Sequence, residues 1–121
     1  MAWTYSQSTG KLKLGETTFG CGYAGFGEGV NNPADQGIPN VGPIPVGDYT
    51  IGPAFTHPTA GPITMRLTPQ TGTDTLGRSG FLMHGDNFAM DHTASHGCII
   101  MPHPVRVTVA TSNDRTLTVT V

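Results

Sequence analysis

The chain carries 17 glycines and 10 prolines, together 27 of its 121 residues, and this density of breakers constrains the fold more than any other feature. Proline fixes φ and removes a backbone donor, while glycine weakens helix interiors. Long helices, and with them bundles and coiled coils, are excluded. The 18 threonines and the short apolar runs between breakers favour short strands joined by shaped loops. A chain of this length makes one domain, residues 1–121. Folding buries roughly two-thirds of its unfolded surface, enough for a single core without obligatory disulfides or metal.

Trp3-Thr4-Tyr5-Ser6 and Lys11-Leu12-Lys13-Leu14 alternate in side-chain type around Ser8-Thr9-Gly10 and predict a hairpin. Asp48–Ile51, Ile63–Leu67 and Phe81–His84 read as strands punctuated by Gly and Pro, and Leu117–Val121 as another after the turn-prone Ser112-Asn113-Asp114. Val105–Val109 alternates like a strand, yet Pro104 suits the first turn of a helix, so both readings stay open. From Gly20 to Gly47 neither period appears. A loop of that length in a compact domain is expected to be functional, pinned to the body by Tyr23, Phe26, Ile38, Val41 and Ile44. The expected architecture is mostly β, a sandwich or sheet with long Gly/Pro-rich loops and at most one or two short helices.

Six Lys and Arg face eight Asp and Glu, a formal net charge of −2, and the cations are scattered. Nucleic acids and anionic membranes bind clustered cations through counterion release, so neither is an expected partner. No apolar run reaches the ~20 residues of a membrane span, and Met1-Ala2-Trp3-Thr4-Tyr5-Ser6 lacks the basic and apolar regions of an export signal. Membrane insertion and signal-directed export are therefore not expected. The two cysteines, Cys21 and Cys98, do not make a disulfide scaffold.

Reactive groups concentrate late in the chain, where four of the five histidines fall between residues 78 and 103. A cysteine acts as a nucleophile through its thiolate, which a nearby imidazole or converging backbone amides help to form. Ser95-His96-Gly97-Cys98 holds the parts. Gly97 removes a side chain beside the sulfur, and the amides of Gly97 and Cys98 are placed to face a developing oxyanion. His84, at the end of an apolar strand and followed by Gly85, offers the base. Ser95 and His96 are assigned supporting roles in orienting the loop or an imidazole. Cys21, in a Gly-rich stretch, reads as structural, and both thiols are expected to be free. His57, His92 and His103 are given no role.

His84 followed by Ser95-His96-Gly97-Cys98 resembles the signature of the L,D-transpeptidase catalytic domain. The likeness extends over nearly the whole chain. It includes Trp3–Gly10, Gly42-Pro43-Ile44-Pro45-Val46-Gly47-Asp48-Tyr49, Gly77–Asn87 and Gly97–Met101, which are similar to the compact branch of that family, interbacterial effectors delivered by type VI secretion. The resemblance implies an L,D-transpeptidase-like domain in which Cys98 attacks the third residue of a peptidoglycan tetrapeptide stem, expels the terminal D-alanine and leaves a thioester. Water completes L,D-carboxypeptidase trimming, and an amine completes exchange or cross-linking; trimming is the expected outcome. No cofactor is implied. It further implies synthesis in the cytoplasm without a signal peptide, passage through secretion machinery, action in the periplasm of a target bacterium, and a cognate immunity protein.

The chain also departs from the family pattern. Only ten residues, Gly85 to Ala94, separate His84 from Ser95, fewer than is typical, and apolar Ile100 stands where many members carry a substrate-orienting Arg or Asn. Arg78 is the candidate to grip the substrate carboxylate instead, because a guanidinium matches it bidentately. Tyr23, Gly85 and Asp86 are further candidates for lining the groove, together with the Asn31-Asn32-Pro33 stretch. Two other readings compete. His92, His96 and Cys98, with His84, Asp86 or Asp91, match zinc-ligand types, giving a zinc-dependent peptidoglycan hydrolase. A non-catalytic wall-binding β domain is the other. The thiol reading predicts activity that survives chelator and is lost on iodoacetamide treatment; the zinc reading predicts loss of activity with chelator.

Overall fold

The computed structural model describes residues 2–26, 29–39, 41–58, 60–85 and 97–121. The expected hairpin forms β1 (Trp3–Ser6) and β2 (Lys11–Leu14), antiparallel with Trp3 opposite Leu14 and Tyr5 opposite Leu12. Its alternation is the period of a half-buried strand: Trp3, Tyr5 and Leu12 are buried, whereas Lys11 and Lys13 are exposed. On its other side β1 runs parallel to β10 (Thr116–Thr120), placing Trp3 beside Leu117. β10 pairs antiparallel with β5 (Gly47–Ile51), and β5 with β7 (Gly61–Pro69). β7 also carries the short β6 (Phe55–His57) and then β8 (Leu82–His84). β8 runs parallel to β9 (Ile99–Ile100), which pairs antiparallel with β4 (Tyr23–Ala24). At the far end β2 pairs with β3 (Thr17–Cys21).

The main path through the sheet is therefore β3-β2-β1-β10-β5-β7-β8-β9-β4. Its two ends, β3 and β4, are separated in sequence by Gly22 alone, so the sheet bends round into a nearly closed ring. That closure needs a residue without a side chain. A Cβ on Gly22 would collide with the Ile100 carbonyl of β9, and one on Gly10 would collide with the Gly22 carbonyl. The Gly22 N–H donates to the Gly10 carbonyl at 2.8 Å, fastening the β1–β2 turn to the seam.

Among the described residues one α-helix forms, α1 (His103–Thr111), and it settles the segment whose period was ambiguous. Val105, Arg106 and Val109 are buried, a helical spacing, while Val107 is exposed. Pro102 enters in an extended conformation and Pro104 occupies the first turn, where its missing N–H costs nothing. The C-terminus is closed by Arg115, whose Nη1 donates to the carbonyls of Val109 and Ala110 at 3.1 and 3.3 Å. Its Nη2 and Nε reach the carbonyls of Gly52 and Ile51, so the same side chain ties α1 to the end of β5.

The stretch from 20 to 47 differs in part from expectation. β3 and β4 occupy its start, and Pro33–Asp35 forms one turn of 3₁₀-helix capped by the Asn32 side chain. Tyr23 and Ile44 are buried as expected, but Phe26 and Ile38 are 38% and 46% exposed and do not pin the loop. Polar contacts do so instead: Phe26 N–H to Val41 O at 2.8 Å, Gly42 N–H to Ile38 O at 2.9 Å, and Gln7 Nε2 to Ile44 O at 2.8 Å. β3 escaped notice because nearly all of it is exposed, which leaves no alternation to read. β4 and β9 are two residues each, too short for a period.

Substituting Gly22→Ala drives a side chain into rigid backbone on β9. It is expected to cost about 3 kcal/mol, at the upper end of overpacking effects, read as a lower midpoint in urea unfolding with an unchanged m-value.

Candidate functional site

Strand parity assigns the residues around β8 and β9 to two faces. Phe81, Met83, Ile99 and Met101 belong to the central apolar cluster with Met65 and Leu67. Leu82, His84 and Ile100 alternate with them and lie outside that cluster, although each is buried. In the parallel register Met83 opposes Ile99 and His84 opposes Ile100. One step back along the same register brings Cys98 beside Leu82. Cys98 sits in a bend immediately before β9, and its sulfur meets the backbone of Leu82 and the Gly80 carbonyl. Tyr23 opposes Ile100 from β4 and extends the same row.

His84 is 7% exposed, and its Nδ1 lies 2.8 Å from the Gly85 carbonyl oxygen. A carbonyl only accepts, so Nδ1 carries the proton in this contact. The His84 carbonyl accepts from Met101 N–H at 3.0 Å, which fixes the strand end below the ring. Gly85 is itself confined, because a Cβ there would press on the guanidinium of Arg106. Arg106, buried in α1, donates to the carbonyls of Met101, Pro62 and Ile63 at 3.0, 2.8 and 3.1 Å. The sequence reading missed Arg106; its only signal was a lone cation inside a valine-rich run.

Cys98 is partly exposed and is a free thiol, as is the exposed Cys21. Its Sγ lies 3.9 Å from the Gly80 carbonyl. Burial pushes the thiol above its ordinary pKa, opposed by a backbone hydrogen bond from Leu82 and by the charge of Arg78. Gly97 precedes it at φ 122°, a conformation that L side chains resist, and a Cβ at this position would strike Arg78 Nη2.

Arg78 is 8% exposed and heavily engaged. Nη1 donates to the carbonyls of Gln36 and Pro43 at 2.6 and 2.8 Å, and Nη2 to that of Gly42 at 3.1 Å. Its guanidinium also lies over the Phe81 ring. The residue expected to hold a substrate carboxylate thus binds the 36–43 loop. Asn31 and Asn32 likewise serve the backbone: Asn31 Oδ1 accepts from Ala24 N–H, and Asn32 Oδ1 from Ala34 N–H, each at 3.2 Å.

Of the residues singled out by sequence, Arg78 stands against Gly97 and acts on Cys98, while His84 and Tyr23 both oppose Ile100 in the β8–β9–β4 ladders and Gly85 follows His84. Ser95, His96 and Asp86 lie outside the described residues, as do the Asp91 and His92 of the zinc alternative. Among the described residues no group of three or more His, Cys, Asp or Glu is placed to hold a metal ion, and no helix is long and apolar enough to cross a membrane. His57 sits on β6, accepting from Ala60 N–H, and His103 opens α1.

Comparison with known proteins adds one finding. A family model described as the Tlde1 domain matches residues 19–121. No curated protein and no solved structure matches the chain.

The geometry at Cys98 generates a direct expectation. In a Cys21→Ser background, alkylation of Cys98 by iodoacetamide should accelerate with pH toward a midpoint above the ordinary thiol value of 9.0. The mass of the singly modified protein, followed with time, reads this out.

Proposed function

Because the chain belongs to the Tlde1 domain family, a type VI secretion effector toxin domain whose effectors are enzymatic, we propose that it is a cysteine-dependent L,D-carboxypeptidase of peptidoglycan tetrapeptide stems, with L,D-transpeptidase exchange as the aminolytic branch of the same reaction. One observation carries this reading: the parallel register of β8 and β9 opposes His84 to Ile100, two residues after Cys98, so the strand end that carries the imidazole lies beside the segment that carries the thiol, with the imidazole proton held on Nδ1 by Gly85.

The chemistry follows from those two side chains. Burial keeps Cys98 as a neutral thiol, so attack needs a base at the moment of bond formation. His84 Nε2 takes the thiol proton as Sγ adds to the carbonyl of the third stem residue at its L-centre. The amides of Gly97 and Cys98 hold the resulting oxyanion. Collapse breaks the bond to D-alanine, whose amine leaves with the proton from the His84 imidazolium, and a thioester to Cys98 remains. Water, deprotonated by His84, then releases the tripeptide and restores the thiol. An amine in place of water gives D-amino-acid exchange or a cross-link. Tyr23 and Gly85, on the same patch, border the stem, and Ile100 gives it an apolar floor. Ser95 and His96 keep the supporting roles suggested by their positions in the motif, and Asp86 its role in lining the groove.

Peptidoglycan lies in the periplasm of a target bacterium, so this is where the enzyme would act. A cognate immunity protein and the secretion machinery are the partners that the effector family suggests. Trimming tetrapeptides removes the donors for cross-linking and would weaken a rival's wall.

Incubation with disaccharide-tetrapeptide muropeptides tests the proposal by mass. Wild type is expected to release one alanine per stem, Cys98→Ala none, and His84→Ala at least 100-fold less at neutral pH, in line with loss of a general base. Release of alanine by Cys98→Ala at the wild-type rate would overturn the thiol mechanism.

A further inference from the structure

Two buried arginines stand at the two ends of the segment joining β8 to β9. Arg106 presses on Gly85, immediately after His84, and Arg78 presses on Gly97, immediately before Cys98. Each is held by three backbone carbonyls: Met101, Pro62 and Ile63 for Arg106, and Gln36, Gly42 and Pro43 for Arg78. Each glycine stem therefore rests on a guanidinium that cannot swing away without abandoning its carbonyls. The two differ in what they face, because Arg78 is the one whose charge acts on the Cys98 sulfur.

We propose that Arg78 is a positioning residue for the nucleophile: its fork locks the 36–43 loop, its face seats the Gly97 backbone, and its fixed charge stands where negative charge develops on Cys98 Sγ. The inference rests on the thiol reading above, and it replaces a carboxylate grip with thiolate stabilisation. A guanidinium already oriented by carbonyls needs no reorganisation when the thiolate forms, which is the condition under which a fixed charge lowers a barrier most. The same engagement argues against substrate capture, since a bidentate grip on a carboxylate needs a free edge of the fork. Among the described residues the charged and titratable groups that act on the sulfur or on its guanidinium are Arg78 itself and Tyr49 of β5, while His84 ends the neighbouring β8. Tyr49 stays neutral over the working range because burial raises its phenol well above the usual value and its hydroxyl donates to the Pro45 carbonyl at 2.8 Å. It does not confuse a thiol titration.

The test uses Arg78→Gln, which removes the charge and keeps donors, Arg78→Lys, which keeps the charge and loses the fork, and Arg106→Gln as the comparison clamp, all in a Cys21→Ser background. The first readout is the pH dependence of Cys98 alkylation, which needs no peptidoglycan. Arg78→Gln is expected to move the midpoint up by about one pH unit, a tenfold slower reaction below it, and Arg78→Lys to stay within about half a unit of the parent. Arg106→Gln is expected to leave the midpoint in place. The second readout, on tetrapeptide muropeptides, expects Arg78→Gln to lower kcat with KM unchanged. A folded Arg78→Gln with an unmoved midpoint, or one that raises KM alone, overturns the proposal. Should thermal unfolding show that Arg78→Gln does not fold, Arg78→Lys decides: a lower kcat at constant KM supports the role, and a raised KM at constant kcat overturns it. If the parent protein turns over no muropeptide, the peptidoglycan reading fails while the alkylation result still decides whether Arg78 serves the thiol.

Discussion

Everything proposed about the chemistry depends on the pairing of two very short strands, β8 and β9, in parallel. Parallel neighbours cannot be joined by a tight turn and require a crossover of a dozen or more residues. Here the crossover spans residues 85–98, and the candidate base and nucleophile stand at its two ends. Because the register is parallel, His84 stands opposite Ile100, two residues after Cys98, and the two ends of the crossover lie side by side. A slip of one residue would turn one of the opposed pair His84 and Ile100 into the apolar core beside Met83 and Ile99 and leave the other outside. Strands of three and two residues supply few ladder hydrogen bonds to resist such a slip. Resistance comes from their surroundings: β7 on one side, β4 on the other, and the Met101 N–H bonded to the His84 carbonyl.

Much of the frame was legible in the chain because it obeys a local rule. Trp3–Ser6, Lys11–Leu14, Asp48–Ile51 and Leu117–Thr120 alternate since one face is buried and the other is not, and each lies in a strand. The elements that escaped are those without a local signature. β3 exposes nearly every residue, and β4 and β9 exist only because the ring has to close. Val105–Val109 misled by its composition: β-branched residues suit strands, but Pro102 and Pro104 remove the donors that a ladder would need and pre-set the first helical turn. At the site, Cys98, His84 and Gly97 were visible as residue types in sequence, whereas the pairing that sets His84 opposite Ile100 is a property of register that no single segment encodes. Arg106 is the clearest omission. Nothing in its neighbourhood of valines announces that its guanidinium faces inward to collect three carbonyls.

The long Gly/Pro stretch shows how a chain with few charges secures a loop. Phe26 and Ile38 lie open, and the carbonyls of Gln36, Gly42 and Pro43 converge on Arg78 instead. Arg115 does the same at the end of α1, and Arg106 beside Gly85. With only six Lys and Arg in the sequence, half of them, Arg78, Arg106 and Arg115, are used to gather backbone oxygens. Carbonyl oxygens left by irregular backbone must be satisfied somewhere, and one guanidinium with five donors satisfies several at once. Irregular architecture and interior arginine are thus two sides of one solution.

The placement of β10 has a consequence for when the fold can exist at all. It lies between β1 and β5, so until Thr116–Thr120 arrives the ladder consists of two fragments joined only through the Gly22 corner. Contacts between such distant parts of the sequence carry the full entropy of closing the intervening chain, and they form late. The ring that holds β8, β9 and β4 in line is therefore complete only once Thr116–Thr120 has docked between β1 and β5.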